Sequence, residues 1–165
     1  MAVLDDFLVD PSISMLDKIK IQAQVLVPVM QALRAELGRD KADALVKGAL
    51  REWSKRIFAD IADGIEGSPR RKFTAMNTAL ADVTEREVTF DMHRRDKQAL
   101  EFDIKSCRFA EFFRALGEPE LGALLICQTD IDIAEAGGSE VSFSRTQTLM
   151  QGASCCNFRY KFEPR

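Results

Sequence analysis

"EVTFDMH", residues 87–93, and "LEFDIKS", residues 100–106, decide how this chain folds. In the first, Val88, Phe90 and Met92 alternate with Thr89 and Asp91. In the second, Leu100, Phe102 and Ile104 alternate with Glu101, Asp103 and Lys105. A period of two belongs to half-buried strands. The charged stretch "RRDKQ" between them reads as the turn of an antiparallel hairpin.

Upstream of this hairpin the period is different. In "SISMLDKIKIQAQVLVPVMQALRAELG", residues 12–38, the positions Leu16, Ile19, Ala23, Leu26, Met30, Leu33 and Leu37 recur at threes and fours, which predicts one helical face. Pro28 inside the run predicts a kink or two shorter helices, and Gly38 a C-terminal stop. "RDKADALVKGALREWSKRIFADIADG", residues 39–64, reads as a second helix. Asp40 is its expected N-cap, Ala42, Leu45, Ala49, Trp53, Ile57 and Ile61 its buried stripe, and Gly64 its stop. A third helix starts at Ser68 and Pro69. Its basic cluster Arg70, Arg71 and Lys72 reads as a solvated first turn.

Downstream, "RFAEFFRALG" reads as a short helix closed by Gly117, and Pro119 opens the apolar helical turn "PELGALLIC". "EVSFSRTQTLM" and "CCNFRYKF", with a turn around Gly152, form a second antiparallel hairpin. The expected architecture is α+β: N-terminal helices packed on a C-terminal antiparallel sheet, with short helices inserted between its hairpins. No linker or repeat divides the chain. Residues 1–165 are read as a single domain, with a helical half over 1–83 and a sheet-rich half over 84–165.

Composition narrows the function classes. The 165 residues carry a net charge of −3, which argues against a dedicated nucleic-acid binder. No apolar run approaches the length needed to cross a bilayer. "MAVLDDFLVD" has no basic start and does not read as a signal peptide. A cytoplasmic protein with reduced thiols is expected, and the adjacent Cys155 and Cys156 are ill placed to pair with each other. There is no Gly-rich phosphate loop, no HExxH and no CxxC. Neither a cofactor nor a resident metal is expected, although Cys107, Cys127 and Cys156 together would make a three-thiolate site in principle.

Four positions carry candidate chemistry. Cys107 lies where a strand meets a helix, beside Arg108, and both the helix N-terminus and the cation favour a thiolate. The alternative is a small residue filling a tight junction. Cys127 precedes Asp130 by three. If the helix continues, the two share a face, and Asp130 either acts as a base or orients a substrate nitrogen. A carboxylate so near raises the thiol pKa, and a buried Cys is also a good small hydrophobe. Cys156 shares parity with Phe158, Tyr160 and Phe162 and should face the core or a pocket in it; Cys155 has the outward parity and reads as incidental. Arg145 shares parity with Val141, Phe143, Gln147 and Leu149, so a regular strand turns its guanidinium toward the apolar side. There it needs an internal carboxylate or a substrate carboxylate, unless a bulge flips the strand. His93, the one histidine, reads as a solvated turn residue, with a Cys–His dyad as the alternative.

Two segments, "CRFAEFFRALGEPELGALLICQTD" and "FSRTQTLMQGASCCNFRY", resemble the L-2-amino-thiazoline-4-carboxylic acid hydrolase family. The resemblance rests on Cys107 leading into an aromatic-rich helix, Gly117 to Leu121, Cys127 with Asp130, Arg145 to Gly152, and Cys156 to Phe158. It covers about a quarter of the chain. Asn157 departs from it, standing where the family has Asp; by parity it points away from the core. The resemblance implies hydrolytic opening of a small cyclic amidine: water adds to 2-aminothiazoline-4-carboxylate and gives N-carbamoyl-cysteine. It also implies a fold similar to vinyl-reductase-type domains and trafficking-complex subunits. The partner expected is therefore a small heterocyclic carboxylate. Cys127, Asp130, Cys107 and Cys156 would be the catalytic set, Arg145 the carboxylate grip, and a homodimer is possible. A cysteine-dependent C–N hydrolase is one reading. A module of the same fold that holds a small or acyl ligand without breaking a bond is the other.

Overall fold

The computed structural model describes residues 12–163. The leader reading of "MAVLDDFLVD" lies outside the described residues. Three helices come first: α1 (Met15–Leu37), α2 (Arg39–Asp63) and α3 (Pro69–Thr84). Then follow β1 (Val88–Arg95), β2 (Ala99–Cys107), α4 (Arg108–Ala115), α5 (Pro119–Gly122), a π-turn (Ala123–Cys127), α6 (Gln128–Ala136), β3 (Val141–Ser144), a 3-10 turn (Leu149–Gln151) and β4 (Cys156–Phe162). The four strands form one sheet in the order β1-β2-β4-β3, antiparallel at every pairing. This is the α+β architecture that the change of period predicts. No helix among the described residues is long and apolar enough to cross a membrane.

Two apolar clusters hold the elements together. In the first, Leu16, Ile19, Ala23, Val27 and Met30 of α1 pack on Phe109, Ala110 and Phe113 of α4, with Leu121 and Met150. In the second, Ala62, Phe73 and Met76 from α2 and α3 join Ile133 and Ala134 of α6 over Cys156, Phe158 and Tyr160 of β4. Removing a side chain the size of Phe73, Phe113 or Met30 from water stabilises the fold by about 1.5–3 kcal/mol each. Leu149 packs against both clusters and marks the seam between them.

Several local expectations are corrected. α1 runs through Pro28 as one helix rather than two shorter ones. Pro28 is on the exposed face, where water can satisfy the carbonyl that lacks its N–H partner. The N-cap of α2 is Gly38 rather than Asp40, because the left-handed φ of +78° at Gly38 ends α1 and starts α2 at one residue. The buried residues of α2 are Ala42, Ser54 and Ala62, while Leu45 and Trp53 are 59% and 50% exposed. α2 packs closely on α1 and α6, and close approach selects small side chains over large ones. β1 is an edge strand interrupted by register shifts between Thr89 and Phe90 and between Met92 and Arg94. Phe90 and Met92 are consequently 51% and 42% exposed rather than half-buried. The second hairpin is shorter than its sequence pattern: β3 ends at Ser144, and Leu149 and Met150 lie in a 3-10 turn, which Gly152 closes with φ +91°.

Candidate functional site

The helical run that starts at Pro119 carries the first half of the site. Gly122 lets it sit down, since a Cβ there would meet Met150 Sδ at 2.6 Å and Phe113 Cγ at 2.6 Å. The next five residues form the π-turn, and the Gln128 N–H donates to the carbonyl of Ala123. A π-turn is one residue inserted into an α-helix, so it rotates everything after it by about 100°. That rotation lets α5 face α4 while α6 faces α2 and α3. Cys127 is the last residue of the π-turn and the N-cap of α6, and Asp130 lies in the first turn of α6. The helix does continue, as sharing of a face requires.

Arg145 supplies the second half. It follows the last residue of β3, and its side chain turns inward, only 9% exposed. Nη1 donates to Asp130 Oδ2 in a short ion pair, and Nη2 donates to the carbonyl of Cys127 at 2.9 Å. Its Cζ stands 5.2 Å from the centroid of Phe158 and 5.7 Å from that of Phe143. Of the alternatives open in the sequence, the internal carboxylate is the partner found. One guanidinium thus clamps both Cys127 and Asp130.

The three thiols lie within electrostatic reach of this clamp. Cys127 is within electrostatic reach of Asp130, Arg145, Cys156 and Cys107, and Cys156 within reach of Cys107, Arg145 and Asp130. Cys107 is the N-cap of α4, and its Sγ accepts the Ala110 N–H at 3.5 Å. Cys156 Sγ accepts the Leu149 N–H at 3.1 Å. Burial and the Asp130 charge push the Cys127 thiol up to about 12. Burial pushes Cys156 up to about 11. Burial also raises Cys107, against the backbone N–H groups of Ala110 and Phe109, so the expected thiolate at this helix start is not favoured. Arg108 is exposed and does not reverse this. Asp130 is pushed up to about 6 by burial, against the pull of Arg145. At neutral pH the cluster is three thiols around one ion pair.

Other candidates lie elsewhere. His93 is 3.1 Å from Asp103, and the register that sets Val88 opposite Cys107 sets Met92 opposite Phe102, which places His93 toward the far end of the hairpin from that thiol. Cys155 is buried, not outward, and accepts from Gln147 Nε2 at 2.9 Å, because it precedes β4 and escapes strand parity. The Arg70 backbone N–H is capped by Glu140, and its guanidinium lies 4.2 Å over Phe162. Among the described residues no group of three or more His, Cys, Asp or Glu is arranged to hold a metal ion. Two open clefts lie elsewhere on the surface, and no thiol lines either. One, of about 500 Å³, is lined by cations at the hairpin tip; the other, of about 550 Å³, lies against the outside of the π-turn.

A model of the L-2-amino-thiazoline-4-carboxylic acid hydrolase family matches residues 18–160. The chain belongs to this family. No curated protein gives a significant sequence match. Among solved structures it is similar to the phenol-responsive sensory domain of the transcription activator PoxR with phenol, at 15% identity over 83% of this chain and 72% of that one, with a TM-score of 0.52. A second similarity, to a trafficking protein particle complex subunit 3 from Naegleria fowleri covalently bound to palmitic acid, has 12% identity over 88% and 97% of the chains and a TM-score of 0.47. The PoxR likeness is one of fold.

Further residues hold the clamp in place. Asn157 accepts the backbone N–H groups of Thr146 and Gln147, each at 3.0 Å, and donates to Thr146 Oγ1 at 2.8 Å. It pins the segment that carries Arg145. Tyr160 is buried within electrostatic reach of Asp130 and Arg145. Its inward parity on β4 is visible in the sequence; its proximity to the clamp is not. Asp132, one turn after Gln128, is buried and accepts from Gln128 Nε2 at 3.2 Å, tying the start of α6 together. An Asp in a helical run gives no such signal by itself.

Proposed function

We propose that this chain is a cysteine-dependent hydrolase that opens a small cyclic amidine, 2-aminothiazoline-4-carboxylate being the substrate the family description names. The observation that carries the proposal is the gathering of Cys107, Cys127 and Cys156 around the Asp130–Arg145 pair at a π-turn. Such a substrate is a zwitterion. Its amidinium replaces Arg145 at Asp130, and its carboxylate replaces Asp130 at Arg145, so the exchange leaves no buried charge alone. Arg145 is then free for a bidentate grip.

Cys127 is the proposed nucleophile because its backbone and its neighbour Asp130 are held by the same guanidinium. Proton transfer from its thiol to Asp130 is steeply uphill at the resting values, so Asp130 is an orienting group rather than the base. As sulfur adds to the amidinium carbon, the C–N π pair moves onto nitrogen, and the amine so formed receives the thiol proton. The ring carbon–sulfur bond then breaks, and the substrate sulfur leaves as a thiol. Water displaces Cys127 from the resulting isothiourea, which returns the enzyme thiol and leaves the carbamoyl group on nitrogen.

One observation favours a second reading. Burial keeps all three thiols protonated, as suits a site that binds without attacking, and the PoxR domain of similar fold holds phenol. The readings separate on incubation with 2-aminothiazoline-4-carboxylate and related heterocyclic carboxylates, followed by mass spectrometry. The hydrolase gains one water per substrate, and Cys127→Ser lowers the rate by about 10³-fold or more while the fold is retained. Saturable binding with no mass gain across the panel replaces the hydrolase with the binding module. Full turnover by Cys127→Ser removes that thiol as nucleophile.

A further inference from the structure

The cleft outside the π-turn has a composition that the chemistry above does not use. It is an open surface cleft of about 550 Å³. Pro119, Ala123, Leu124 and Met150 give it an apolar wall, and four charged side chains from α2, α4 and α5 stand around them. The two carboxylates among these have partners: Asp43 shares Arg34 with the buried Glu118, at 2.8 Å and 2.6 Å, and Glu120 pairs with Arg39 at 3.5 Å. The two cations, Lys47 and Arg114, have no ion pair or hydrogen bond among the described residues. With Arg34 and Arg39 they give four cations against three carboxylates, and an apolar wall beside two cations without partners is complementary to an amphiphilic acid.

We infer that this cleft binds a small organic anion with an apolar body, its acid group held by Lys47 and Arg114 and its body lying on Leu124 and Met150. The cleft is distinct from the thiol cluster but shares walls with it. Ala123 and Leu124 begin the π-turn that Cys127 ends, and Met150 follows Leu149, whose N–H holds Cys156 Sγ. Pro119, Glu120 and Met150 to Gly152, which belong to the stretches that carry much of the family resemblance, line this cleft. The inference stands apart from the hydrolase reading, since it concerns binding and needs no turnover.

Titration calorimetry of the full chain with hexanoate and benzoate tests it. Both anions are expected to bind saturably, and hexanol and benzyl alcohol at least about tenfold more weakly. Lys47→Glu and Arg114→Glu are each expected to weaken hexanoate by about tenfold or more, at exposed positions where the fold tolerates the change. Absence of saturable binding overturns the inference, as does equal affinity for acid and alcohol, or unchanged affinity in both charge-reversal variants.

Discussion

The two ends of the sheet treat the same pair of residue types in opposite ways. At the thiol end, Asp130 pairs with Arg145 under cover of α6 and the aromatic rings of β3 and β4, and burial wins: the carboxyl rises from 3.8 to about 6. Further along the sheet, Asp103 pairs with Arg159 at 2.8 Å and with His93; its side chain is 18% exposed against 21% for Asp130, whereas Arg159 is 33% exposed against 9% for Arg145. There the hydrogen bond from Arg159 wins over burial and holds Asp103 below its ordinary value. Asp96, at the hairpin tip, is lowered in the same way by Arg94 and by the Gln98 N–H. An Arg–Asp pair is therefore no guide to ionisation by itself. The two carboxylates are similarly exposed, so the surroundings decide it: a single guanidinium buried to 9% exposure at Asp130, and a one-third exposed guanidinium joined by His93 at Asp103.

The widest contrast should appear in thiol reactivity. With the Cys127 thiol near 12, its thiolate fraction at pH 7 lies roughly 10³-fold below that of an unperturbed cysteine, and alkylation by iodoacetamide should be slower by a similar factor. Residue-resolved mass spectrometry of the native and the denatured chain measures this. Native labelling of Cys127 at the denatured rate would erase the claim that burial controls this end.

Breaking each ion pair from its cationic side should come next in size. Arg145→Met leaves Asp130 buried without its partner and should cost about 3–5 kcal/mol in urea unfolding. Arg159→Met removes a partner that is one-third exposed and should cost about 1 kcal/mol. Equal losses would mean that the two ends are not differently desolvated.

The pH dependence should have opposite signs. Between about pH 4 and pH 6 the unfolded chain has released the Asp130 proton while the folded chain still holds it, so this group's contribution to stability falls as pH rises. Asp103 is lowered, so its contribution is full above its ordinary 3.8 and is lost as pH falls toward its folded value. Stability profiles of Asp130→Asn and Asp103→Asn against the parent should therefore diverge in opposite directions, the first across pH 4–6 and the second below pH 4. Parallel profiles would break the comparison. The smallest effect belongs to the edge strand: Phe90→Ser, at a half-exposed position, should change stability by only about 0.5 kcal/mol.

How far these features can be read from the chain differs residue by residue. The inward face of Cys156, Phe158 and Tyr160 is legible because strand parity is a local property, and the burial of β4 follows it. Arg145 is legible for the same reason, although its strand stops one residue short of it. Cys155 is misread because it stands just before its strand, where parity has no meaning. The stripe of α2 is misread because two apolar stripes exist and the neighbouring helices accept the one with small residues. The cluster Cys107–Cys127–Cys156 joins positions dozens of residues apart, so its existence rests on the family resemblance and its geometry on the fold.

What the amino-acid order determined alone is periodicity: helices before residue 84, alternating strands after it, a thiol and a carboxylate three apart on one helix face, and a guanidinium turned toward the sheet's apolar side. What tertiary structure decided is charge state and partnership: Arg145 spent on Asp130 and on the Cys127 carbonyl, and three thiols kept protonated. The reason is one of range. Alternation and helical spacing are set by the backbone within a few residues, whereas removal of water from a site requires segments distant in the chain to close over it.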